Sequence, residues 1–247
     1  MLIKNKDKFL LGSLLMIGFL GVLILMFLPL YGPNKENFLS YSDNIFNRLA
    51  KGSAYFIPKL QRDVQKYLGI TFNLEINPRR PEDTPADTQR RIHFIKLLYE
   101  KQGASVEINE HTVKISGDLG QVLISALEDA DNMYWNKGEF IRNKYEVQDE
   151  KRLFRQWHFT LGQLQKDYIL KKKTVEAKII NSVLTKAIEP AYNFYKIEPQ
   201  KLSEQAWLVL GMLLFYVVYT MWFGYSILLL FEGFGLSTKK AKIKKEV

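Results

Sequence analysis

The chain has 247 residues, 47% of them apolar, and no cysteine, which excludes disulfide frameworks, thiolate nucleophiles, iron–sulfur clusters and cysteine-ligated zinc. A mean hydropathy of -0.14 is too low for a polytopic transporter and suits one charged globular domain joined to a membrane part. The net charge of +9 is no nucleic-acid signal, because residues 1–8 and 232–247 hold eight lysines against three acids and leave the middle of the chain nearly balanced for its size.

Residues 1–8, MLIKNKDK, form a basic tail in which Lys4, Lys6 and Lys8 face only Asp7. Residues 9–28 then carry no charge, the length that a hydrocarbon layer of about 30 Å demands at about 1.5 Å of helical rise per residue. A first transmembrane helix is expected over 9–30. The competing reading is a cleaved signal peptide, whose apolar core would be shorter, about 7–15 residues, and followed by a small-residue cleavage site that LPLYGPNKENF lacks.

Residues 31–69 read as membrane-proximal helices. Phe38, Leu39, Ile45, Phe46 and Leu49 fall at helical spacing; Pro58 opens a second helix with Leu60, Val64, Tyr67 and Leu68 on one face, and Gly69 is a natural C-cap. A collar at the membrane is expected, the alternative being an amphipathic helix lying on lipid.

The period changes in residues 70–148. Ile70, Phe72, Leu74 and Ile76 alternate with polar residues as in a half-buried strand. After PRRPED, Thr84 as N-cap, Pro85 at the first helical position and Asp87 three residues past the cap start a helix that runs to Gly103, with Ile92, Ile95, Leu98 and Tyr99 as its apolar stripe. Val106 and Ile108 alternate, Glu110 and His111 make a turn, and Val113 and Ile115 alternate again, so a hairpin would set Val106 opposite Ile115, Ile108 opposite Val113, and Glu107 opposite Lys114 as a charge pair. Asp118 caps a following helix (Leu119, Val122, Leu123, Ala126, Leu127, Ala130) that ends near Gly138, and 140–147 is read as a further strand. This order matches the split βαβ arrangement of ferredoxin-like domains, with a ring-building secretion domain of related topology as the near alternative.

Over residues 149–205, apolar positions from Leu153 through Trp157, Leu161, Leu164 and Tyr168 to Val175, Ile179, Val183, Ala187, Ala191 and Phe194 recur in steps of three and four. A long amphipathic helix, with a break possible at KKKT, is expected to stand off or meet a partner, against a reading of two shorter helices folded onto the domain. Residues 206–231 carry no charge and form the second transmembrane helix, with Trp207, Trp222, Phe223, Tyr225 and Phe231 toward its ends; Glu232 closes the run ahead of the basic tail 232–247. Lysines flanking both spans place both termini in the cytoplasm and the central domain on the far side, the periplasm of a Gram-negative cell.

Catalytic chemistry is not signalled. His93, His111 and His158 lack metal-ligand spacing, the run Glu128, Asp129, Asp131 offers carboxylates to a cation but reads rather as a solvated helix face, and GxSxG, GxxxxGK and GxGxxG do not occur. No catalytic, cofactor or metal site and no enzyme is expected. Two other features stand out. Arg79, Arg80, Arg90 and Arg91 form a basic patch suited to an anionic glycan, headgroup or partner acid, or to plain solvated surface. In the second span Thr220 and Gly224 make a small-xxx-small pair, with Tyr216, Tyr219 and Trp222 as polar handles for another helix, unless they only face lipid.

The expected fold is thus an α+β membrane protein: two transmembrane helices flank an exported domain with a ferredoxin-like (βαββα-type) core and a long amphipathic helix. The expected function is a non-catalytic structural or assembly subunit of an inner-membrane complex, its partners other membrane proteins or its own oligomer and the lipid bilayer, with no nucleic acid. Two spans around an exported α/β domain with a long helix also resemble the polysaccharide co-polymerases that regulate chain length, which implies a homo-oligomer. Those proteins carry a proline-rich segment at the second span, where this chain has only Pro190 and Pro199 before it.

Overall fold

A computed structural model describes residues 3–109 and 112–236. The chain is mostly helical, with one three-stranded antiparallel sheet. It divides into two units, Met1–Phe46 with Lys201–Val247, and Asn47–Gln200; the boundary at residues 46 and 47 falls inside a helix, α2 (Phe38–Ser53).

The first unit is built on α1 (Lys6–Phe27) and α10 (Leu202–Phe234), which pack along one another and are long and apolar enough to cross a membrane. They run antiparallel: the backbone N–H groups of Lys4 and Asn5 both donate to the carbonyl of Gly233, at 2.9 and 3.0 Å. Asn5 caps α1 by accepting from the Lys8 amide, and Gly235 ends α10 in a left-handed conformation at φ 80° that suits glycine. Glu232 lies within α10 and is neutralised by Lys8 Nζ at 2.6 Å. Away from the seam the helices present bare apolar side chains, among them Leu10 at 74% and Met221 at 69% exposure, a surface that water would not tolerate on an ordinary monomer.

The second unit holds the sheet. β1 (Thr71–Ile76) buries Phe72, Leu74 and Ile76 and exposes the residues between, as period-two alternation requires. β3 (Val113–Asp118) lies between β1 and β2 (Ser105–Ile108), antiparallel to both. The hairpin register is as expected, Val106 opposite Ile115 and Ile108 opposite Val113; its turn residues Glu110 and His111 lie outside the described residues. Lys114, opposite Glu107 in that register, makes its ion pair with Glu75 of β1, at 3.7 Å. α4 (Pro85–Glu100) begins with the full capping box of Thr84 and Asp87 and buries Ile95, Leu98 and Tyr99. Asp118 caps α5 (Leu119–Tyr134) through the Gln121 amide and also accepts from the Gly69 amide.

Three expectations need correction. Residues 140–147 are not a strand: α6 (Gly138–Tyr145) buries Ile141 and Tyr145 four residues apart and leaves Phe140 43% exposed, so the helical period governs. The long segment does not stand off. It breaks at KKKT, where Lys172 adopts φ 58°, into α7 (Glu150–Leu170) and α8 (Thr174–Val183), followed by a π turn (Leu184–Ile188) and α9 (Glu189–Asn193). Both long helices are folded into the core, with Trp157, Leu161, Leu164, Ile180 and Val183 fully buried. Finally, α3 (Ile57–Val64) is no separate collar, since Ile57, Leu60 and Val64 join that same core against α5; Leu68, expected on that face, is 45% exposed.

Candidate functional site

The basic patch becomes a cavity of about 250 Å³ between the β1–α4 loop, α4 and α7. The loop supplies Arg80 and Asp83, α4 supplies Asp87, Arg90, Arg91 and Phe94, and α7 supplies Arg152, Arg155 and Gln156. Arg79 does not line it; its backbone N–H donates to Asn77 instead. The α7 arginines were not expected there, because more than 60 residues separate them from the loop and the packing of α7 on α4 and β1 joins them. Arg91 is the anchored member, forking onto both Asp83 oxygens and bonding the Pro78 carbonyl. That guanidinium, more than any other neighbour, holds the Asp83 carboxyl below its usual range.

Arg80 lies with its guanidinium 5.2 Å from the centre of the Phe159 ring, and Arg91 at 5.7 Å from the same ring. Burial lowers the Arg80 pKa, and Arg91 and Arg155 lower it further by repulsion, against the pull of Asp83 and Glu82. Arg90 pairs loosely with Asp87 at 3.8 Å and Arg152 with Asp149 at 3.1 Å. Among the described residues, Arg80 and Arg155 form no ion pair, and the buried Gln156 Oε1 has no hydrogen-bond partner.

The acidic run of α5 proves to be no solvated face at Asp129. This carboxylate is fully buried and accepts from Lys144 Nζ at 2.8 Å, Tyr145 OH at 2.6 Å and Trp157 Nε1 at 2.9 Å. Burial pushes the Asp129 carboxyl up, while Lys144 and the hydrogen bonds hold it down in opposition. Burial would lower Lys144, but Asp129 and Glu128 keep it above its ordinary value. Three donors of the fold converge on Asp129, Lys144 also reaches Glu128, and Asp131 accepts from Tyr55 OH, so the run is a structural hub. Among the described residues no group of three or more potential metal ligands occurs. His158 is exposed beside Glu189, and His93 is exposed on α4.

The five interface candidates of α10 separate onto two faces. Tyr219 and Trp222 turn to α1: Tyr219 OH donates to the Phe19 carbonyl at 3.1 Å with its ring stacked on Phe19 at 4.3 Å, and Trp222 Nε1 donates to the Leu15 carbonyl at 3.0 Å. Tyr216, Thr220 and Gly224, spaced by four, are exposed. Thr220 satisfies its hydroxyl on the Tyr216 and Val217 carbonyls, and a side chain at Gly224 would meet open space. Comparison with known proteins finds no matching family model, no matching curated relative and no matching solved structure.

Proposed function

We propose that this chain is a non-catalytic assembly subunit of a membrane complex, anchored by α1 and α10 and presenting Asn47–Gln200 as a docking domain outside the cytoplasm. The observation that carries the reading is the antiparallel pair α1/α10: its apolar outer surface suits lipid, and its Lys8–Glu232 end brings Lys4 and Gly233 to one side. Lysines beyond that end favour the cytoplasm. Tyr216, Thr220 and Gly224 offer the outer face of α10 to a helix of another subunit. The docking domain is read as an incomplete relative of the ferredoxin-like arrangement, since β1 and β2 flank β3 as in a split βαβ unit while α6 stands where a fourth strand would follow. The co-polymerase alternative drew on a long projecting helix, and α7 and α8 fold into the core instead.

Orientation is tested by single cysteines, which are unambiguous in a chain that has none. Cysteine at position 82 or 137 is expected to react with an impermeant maleimide in intact cells, and cysteine at position 4 or 244 only after permeabilisation. Labelling of position 4 from outside would overturn the orientation.

A further inference from the structure

The arginine cavity carries more charge than its own residues neutralise. Five guanidiniums line it against two carboxylates, Asp83 and Asp87. Asp149 takes Arg152 from outside the lining, which leaves a surplus of two positive charges, and among the described residues Arg80 and Arg155 are the two lining arginines without an ion pair. The Arg80 guanidinium lies over the Phe159 ring, 5.2 Å from its centre, a contact that uses none of its N–H groups on an acceptor and leaves them for a planar or tetrahedral oxyanion. At about 250 Å³ the space lies below the roughly 300–1,000 Å³ of drug-sized pockets and suits a small polar ion. Gln156 adds a different requirement: its Nε2 is committed to the Arg152 carbonyl at 2.8 Å, and its buried Oε1 needs a donor.

We propose that the cavity between α4 and α7 binds a dianionic phosphate that carries a hydroxyl, with Arg80 and Arg155 as its principal ligands and Gln156 Oε1 accepting from that hydroxyl. Two guanidiniums without an ion pair match a dianion better than a carboxylate monoanion. The orphaned acceptor favours hydrogen phosphate or a phosphomonoester of a small polyol over sulfate, which has no proton to give at neutral pH. Guanidinium–phosphate contacts are charge-assisted and bidentate, so each arginine contributes substantially.

The test is calorimetric titration of the full chain in detergent with inorganic phosphate, exchanged against chloride at constant ionic strength, with sulfate as comparison. Saturable binding is expected, tighter for phosphate than for sulfate. Arg80→Gln and Arg155→Gln should each weaken it about tenfold or more; Arg155 is exposed, so its replacement leaves the core intact. Gln156→Met should erase the preference for phosphate while sulfate binding stays unchanged. Glycerol 3-phosphate binding more tightly than inorganic phosphate would assign a soluble phosphomonoester. Arg155-dependent capture of lysophosphatidate-containing vesicles by nanodisc-embedded chain would assign a lipid headgroup. No saturable phosphate binding, binding indifferent to both arginine variants, or equal affinity for sulfate would overturn the proposal.

Discussion

Lys51 shows how a single buried cation is held in this protein. Its ammonium is fully buried, donates to Asn136 Oδ1 at 3.0 Å and to the carbonyls of Phe194 and Ile197, and lies 5.1 Å from the Tyr134 ring centre. Burial pushes its pKa down from 10.5 to about 8, against the pull of Glu198. The unfolded chain therefore binds more protons than the folded one between those two values, and Lys51 makes stability rise with pH across that window. Denaturant unfolding of the full chain at pH 8 and at pH 10.5 should show this rise, and Lys51→Met should flatten it; identical pH slopes in the two proteins would mean that Lys51 is not desolvated. Sequence gave little warning of Lys51 or of Asp129, since a charged residue in a polar stretch reads as solvent-facing. For Asp129 one signal existed. Val122, Ser125, Asp129 and Met133 lie on one buried stripe of α5, so the helical phase pointed the carboxylate inward. Its partners Lys144, Tyr145 and Trp157 lie on other helices, and no local pattern identifies them.

Elements with local causes were legible, and elements decided by packing were not. β1, the β2–β3 hairpin register and the capping box of α4 follow from side-chain period and from hydrogen bonds spanning three residues. Residues 140–147 are too short and too polar for their own pattern to choose between strand and helix; the helix is fixed from outside, where Lys144 and Tyr145 both reach Asp129. The same holds for α7 and α8, whose apolar stripes were plain although their burial against the domain was not. Asp118 tests the local class, because it joins β3 to α5 and serves two amides, Gln121 at 2.8 Å and Gly69 at 2.5 Å. Asp118→Ala removes a helix cap, an effect of about 0.5–2 kcal/mol, and also strands the Gly69 amide, so a loss of about 2 kcal/mol is expected in chemical denaturation. Asp118→Asn, which keeps an acceptor for the cap, should recover most of it. A fully stable alanine variant would show that the cap is dispensable.

At the scale of the whole molecule, the two apolar helices were evident because bilayer thickness fixes their length, whereas the division of α10 into two faces was hidden by a partner helix some 200 residues away. Tyr219, Trp222, Ser226, Leu229 and Gly233 alternate in steps of three and four along the seam with α1, the spacing of left-handed helix packing. That leaves Tyr216, Thr220 and Gly224 exposed on the face that the proposed assembly role would use, and glycine positions on the two faces separate the roles. A side chain at Gly12 would meet the Leu230 backbone nitrogen at 2.9 Å, so Gly12→Leu should force α1 from α10 and destabilise the chain itself. A side chain at Gly224 meets nothing within 4 Å, so Gly224→Leu should leave insertion and thermal stability of the isolated chain unchanged. In native mass spectrometry after mild solubilisation, Gly224→Leu is expected to release the subunits, or second copies, that accompany the wild-type chain, because a leucine there blocks close helix approach. Complexes that survive both Gly224→Leu and Thr220→Leu intact would rule out this face of α10 as the point of assembly.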